Sequence, residues 1–218
     1  MAKLLRFFAS LFGFEGRSSA RLPDASPRSY SAADHPRIYR QGCDLISPYM
    51  QLHAVKAKAG HTERARQDLH RGIELLEHAI AIHADNWSAY WMIGKAYQAL
   101  GDPVNACDAF GKSFSIQAEN PDVVREYMVE CLKLGRAGDG MDAAEHAVQL
   151  DSQDAGLVAN LALAYLIGGR IDAALETVEQ SLALDGDDEI TQDLRSLIRE
   201  VRDGKCAPPK SMADLVDR

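Results

Sequence analysis

The sequence predicts an all-α protein, a solenoid of stacked antiparallel helix pairs, and three observations predict it. First, the chain repeats itself at a shift of 34 residues. Gly101, Gly135 and Gly169 share one register, as do Gly94, Met128 and Ala162, then Tyr97, Cys131 and Tyr165, then Ala106, Gly140 and Ala174. Self-similarity at a period of this size is the mark of stacked supersecondary units. Second, Asn86, Asn120, Asp154 and Asp188 stand on the same beat. Each has a side-chain oxygen that can accept from the free amides of a first helical turn. Third, apolar residues recur at i, i+3, i+4 and i+7 between cap and glycine, as in Tyr90, Ile93, Gly94 and Tyr97 and again in Val158, Leu161, Ala162 and Tyr165. Each helix therefore has one face to bury.

In chain order, residues 1–14, "MAKLLRFFASLFGF", are apolar and basic. The run Phe7 to Phe14 falls far short of the ~20 residues a spanning helix needs. Three readings stay open. Leu4, Leu5, Phe8, Leu11 and Phe12 at helical spacing, with Lys3 and Arg6, suit an anchor on anionic lipid. Ser18 and Ala20 imitate a signal cleavage site, although Glu15 and Arg17 charge the approach to it. The segment could equally dock on its own protein. Residues 15–47 are rich in Ser, Pro, Arg and Ala without an apolar period, and read as a largely flexible linker.

Residues 48–86 read as a diverged helical hairpin. Ser47 and Pro48 open a helix that closes at Gly60, and Thr62 opens a longer one with Ala65, Leu69, Ile73, Leu76, Ile80 and His83 in one stripe. Three full repeats follow, at 87–120, 121–154 and 155–188. In the first, Asn86 caps a helix that ends at Gly101, where a left-handed backbone costs glycine nothing. Asp102 caps the next helix, with Pro103 at its first position, where the missing amide hydrogen is harmless. Asn120 and Pro121 repeat the device. Residues 189–203 carry Ile190, Leu194, Leu197, Ile198 and Val201 on one face and polar residues elsewhere, as the terminal capping helix of a stack must. Residues 204–218, with Pro208 and Pro209, read as a flexible tail.

These residues resemble the tetratricopeptide repeat (TPR) family. In the first repeat Tyr90, Ile93, Gly94, Tyr97, Ala106, Phe110 and Ser113 stand at the family's positions. The second repeat departs most, with Met128, Cys131 and Gly140 at three of them. The family's proline near the repeat end is replaced by Ala118, Ser152 and Gly186. The resemblance implies a right-handed TPR superhelix that binds a partner protein or peptide in a concave groove, acting as a scaffold without catalysis.

Composition narrows the alternatives. The net charge is -8, but the first 86 residues carry 12 Lys and Arg against 9 Asp and Glu, and the rest carry 12 against 23. An acidic body repels phosphate backbones, which argues against nucleic acid as the partner. Cys43, Cys107, Cys131 and Cys206 include no C-x-x-C pair and read as reduced thiols of a cytoplasmic protein, peripheral to a membrane if residues 1–14 anchor it. No metalloprotease, nucleophile-elbow, P-loop or dinucleotide motif is present, so neither an enzyme nor a bound cofactor is expected. His53, His61, His70, His78 and His83 crowd together, but no two are spaced i, i+4 for one metal ion. They read as surface and core-edge residues.

In the family, positions two, five, six, nine, twelve and thirteen of each first helix line the groove. The candidate partner-binding residues are therefore Trp91 and Lys95 in the first repeat, Arg125, Glu126 and Val129 in the second, and Asn160, Leu163 and Ile167 in the third. The family's carboxylate clamp is not assembled, because Trp91, Lys95, Glu126, Gly156 and Asn160 occupy its places. Such a surface suits a peptide offering a carboxylate to Lys95 or Arg125 and apolar side chains to Leu163 and Ile167. Either the groove is open, or its apolar end is covered by the capping helix or by residues 1–14.

Overall fold

The computed structural model describes residues 30–50 and 62–216. The expectations for residues 1–14 and for a helix closing at Gly60 lie outside them. Every regular element among the described residues is helical: α1 (His35–Ile46), α2 (Glu63–Ile82), α3 (Trp87–Leu100), α4 (Pro103–Ile116), α5 (Pro121–Lys133), α6 (Ala137–Leu150), α7 (Ala155–Ile167), α8 (Ile171–Leu184), α9 (Glu189–Arg202) and the one-turn α10 (Ala213–Val216). Short 3-10 turns at Ala32–Asp34 and Ser47–Tyr49 flank α1. The all-α architecture of packed helix pairs expected from the 34-residue beat holds. The chain divides into two compact units, one ending at Gln117 and one from Ala118 onward.

The first unit pairs α1 with α2 and α3 with α4, and α2 packs on α3. Ile46, Leu69, Ile73, Leu76, Met92, Ile93 and Ala96 form its main core. Close helix approach is made by small residues. A Cβ on Gly94 would sit 2.6 Å from the Phe110 ring, so α3 and α4 can meet at this distance only through glycine. Gly42 and Gly72 do the same for α1 and α2, since a Cβ on either would sit 3.1 Å from the carbonyl oxygen of the other. The second unit pairs α5 with α6 and α7 with α8, stacks α6 on α7, and closes with α9 on α8.

The punctuation works as local chemistry demands. Asn86 accepts from the Ala89 amide at 3.1 Å, Asn120 from Asp122 at 3.0 Å, Asp154 from Leu157 at 3.1 Å and Asp188 from Ile190 at 3.1 Å. Gly101, Gly135, Gly169 and Gly204 all have φ between 70° and 75°. The amide after each returns to the helix just ended, as Asp102 does to the Tyr97 carbonyl at 2.9 Å and Arg170 to Tyr165 at 2.8 Å. These bonds satisfy carbonyls that a helix end leaves free.

Two expectations are corrected. Within the segment read as linker, residues 35–46 form α1, with Ile38, Gly42 and Ile46 buried. Ser47 and Pro48 end this helix rather than open one, because the 3-10 turn gives way to extended backbone at Met50 (φ -70°, ψ 131°). The Tyr49 hydroxyl then donates to Asp68 at 2.8 Å and ties the turn to α2. The tail read as flexible is also ordered through α10. Met212 and Leu215 are only 1% and 4% exposed, and the Met212 amide donates to the Leu132 carbonyl at the end of α5, at 3.0 Å.

Candidate functional site

In the first unit the candidate face belongs to α3, whose cap at Asn86 fixes which side chains leave it. Trp91 is half-buried against the core, and its indole Nε1–H is enclosed without a hydrogen-bond acceptor among the described residues. Leaving such a donor unmet costs about 1–3 kcal/mol. Lys95, one turn on, is 4% exposed, with its ammonium 5.4 Å from the centre of the Trp91 ring and 6.0 Å from that of Phe110. A cation over an aromatic face is held by the ring quadrupole. Lys95 is thus built into the wall, where the sequence reading placed it among the residues lining the candidate groove. Ser88 is also engaged, bonding the Tyr39 hydroxyl at 2.9 Å and donating to Asn86 at 2.9 Å.

In the second unit the face belongs to α5 and α7. Arg125 donates to Asp122 on its own helix at 2.7 Å, and both are partly exposed. A surface pair of this kind is worth little, so the guanidinium is cheap to redirect. Glu126 is buried, while Val129 and Asn160 are half-buried. Leu163 and Ile167, whose apolar end was read as either open or covered, are buried at 5% and 6% exposure.

Sequence reasoning missed two features here. Glu130, 1% exposed, accepts from the Lys133 ammonium at 2.7 Å. Its position is taken by Ala96 and Ala164 in the sister repeats, so a carboxylate at a small-residue register was the available signal. The second feature is Met212 and Leu215, whose segment is too short for any periodicity. Among the described residues no group of three or more His, Cys, Asp or Glu could hold a metal ion. His35 instead packs edge-on against His83 at 4.5 Å and bonds Asn86 at 3.2 Å, and His78 packs on Tyr30 at 4.8 Å. No described helix is long and apolar enough to cross a membrane.

Paired helices, a left-handed glycine at each turn and small residues at each crossing define a helical repeat protein. The tetratricopeptide repeat family pattern matches residues 88–120 and 155–188, and these two segments are tetratricopeptide repeats. No curated protein sequence matches the chain. Among solved structures, a MamA protein is similar at 17% identity over 78% of this chain and 84% of that one, with a TM-score of 0.62. MamA from residue 41 onward of Desulfovibrio magneticus RS-1 is 16% identical over 80% of this chain and 88% of that one, with a TM-score of 0.61. YrrB, described as a TPR protein with an unusual peptide-binding site, is 18% identical over 64% of this chain and 72% of that one, with a TM-score of 0.57. At these identities the likeness is one of fold.

Proposed function

We propose that the protein is an interaction scaffold that holds a partner protein or peptide on the faces of its first helices, with no catalysis. The observation that carries this reading is Trp91. It is a large, half-buried aromatic whose enclosed indole N–H has no acceptor among the described residues, and its repeat register holds Arg125 and Ala159 in the sister repeats. A partner packing over the exposed part of the Trp91 ring would bury a large aromatic surface, and aromatic residues dominate the energetics of protein interfaces. Arg125, half-buried and paired with Asp122 on its own helix, supplies a cation for an acidic group of the partner. The peptide-binding site named for YrrB supports the reading by analogy of fold. Of the remaining candidates, Val129 and Asn160 are the accessible ones, whereas Glu126, Leu163 and Ile167 support the face from beneath.

The test is quantitative capture by wild type beside the Trp91→Ala, Arg125→Glu double variant. The expected result is a protein retained by the first and reduced at least ~10-fold with the second, as loss of an aromatic anchor implies. Equal retention by a folded double variant would refute the assignment.

A further inference from the structure

The C-terminal segment offers a clue to the kind of partner. After Gly204 the chain leaves α9 without regular structure and returns to the end of α5, where the Met212 amide bonds the Leu132 carbonyl. The Lys210 carbonyl oxygen lies against Gly135, 3.2 Å from where a Cβ would stand. Both contacts lie at the C-terminal end of α5, one of the first helices assigned to partner binding. Pro209, Met212 and Leu215 are buried, while Lys205, Pro208, Lys210 and Ala213 are exposed. The segment sets its own shape, since the Asp214 carboxylate accepts from the Lys210 amide at 2.7 Å and the Ser211 amide at 3.2 Å. Leu215 N–H closes the turn on the Met212 carbonyl at 3.1 Å.

We infer that residues 209–215 are a built-in ligand of the second unit's face. The partner is then a short segment with two apolar side chains one helical turn apart, preceded by an extended lead-in, which displaces the chain's own. This rests on the protein-binding reading above and gives that ligand its chemistry. The inference follows from how the segment is made. It is an internally pre-organised peptide of one helical turn, inserted through spaced apolar side chains, which is how short motifs occupy grooves. A segment tethered through a short link competes at an effective concentration of the order of millimolar. With an intrinsic dissociation constant of ~0.1 mM it would be docked about nine-tenths of the time, and a competitor's apparent affinity would fall ~10-fold.

The experiment uses the full chain. A fluorescent peptide of residues 205–218, with Cys206→Ser, is titrated into wild type and into the Met212→Asp, Leu215→Asp variant. The variant is expected to bind it at least ~10-fold more tightly. A peptide carrying the same two substitutions is expected not to bind. A variant with wild-type helicity and a cooperative melt that binds no better than wild type would overturn the proposal. Hydrogen exchange on unaltered protein gives an independent check. Amides 212 and 215 are expected to open far faster than the core of α5 and α7, and equal protection would make the segment a permanent part of the fold. A partner protein captured equally by wild type and by the opened variant would overturn the displacement proposal yet leave the scaffold reading standing. Loss of capture in the Trp91 and Arg125 variant tests that reading separately.

Discussion

The hydroxyl of Ser181 donates to the carbonyl oxygen of Ala155, the first residue of α7, at 2.8 Å. The same bond joins Ser113 to Trp87 in the first repeat at 3.0 Å. Each ties the second helix of a pair to the start of the first, and both hydroxyls are buried. In the middle repeat Ala147 stands at this register, and His146 bonds the Ala118 carbonyl at 3.0 Å instead. Ser181→Ala is expected to cost about 1 kcal/mol, since it strands an acceptor without creating a sizeable cavity. Urea denaturation with an unchanged slope checks it, and a neutral substitution would contradict the role given to the bond.

Gly94 is fixed by sterics. A methyl group there would enter the Phe110 ring, which is fully buried and cannot swing away. Gly94→Ala is expected to destabilise by about 1–3 kcal/mol, against the usual gain from replacing a helical glycine. Gly138→Ala, with nothing within 4 Å of its added Cβ, is the control and is expected to stabilise α6 slightly.

The pair of Glu130 and Lys133 places a carboxylate in a site that the sister repeats fill with alanine. Lys133→Met is expected to destabilise, because the buried Glu130 carboxylate loses the ammonium 2.7 Å away. Adding Glu130→Ala, which restores the sister-repeat residue, is expected to recover most of that loss. Thermal melts of the two variants decide it, and additive losses would show that the pair is not coupled.

Asp34 gives a pH signature. The guanidinium of Arg37 at 2.6 Å, with the Ser31 amide at 3.0 Å and the Ser31 hydroxyl, lowers its carboxyl from 3.8 to about 2. Depression of a folded-state acid means its stabilisation is full above the ordinary value and is lost as pH falls from about 4 toward 2. Asp34→Asn is expected to melt lower than wild type at pH 7, with the difference gone near pH 2. A gap independent of pH would contradict the charge-based explanation.

Much of this was legible because repetition amplifies weak signals. Asn86, Gly94, Gly101 and Ala106 mean little alone, but on a 34-residue beat they fix caps, turns and crossings. Where the beat breaks, legibility ends. Gly72 stands 34 residues before Ala106 and keeps the beat, but its partner Gly42 stands 52 before Gly94, so α1 fell within apparent linker. Met212 and Leu215 escaped because two apolar residues in a polar, proline-containing stretch carry no period, and only tertiary contact orders them. Burial of Lys95, Leu163 and Ile167 was hidden for a related reason. Register names the face a side chain leaves from, but not what packs over it.

The central claim is that a partner lies on the faces of the first helices. Hydrogen exchange of the protein with and without its captured partner measures this directly. The account predicts new protection on the first helices of each unit that holds the partner, around Trp91 in α3 of the first unit or around Arg125, Val129 and Asn160 in α5 and α7 of the second, with little change in α4, α6 and α8. Protection confined to those second helices, with α3, α5 and α7 unchanged, would contradict it.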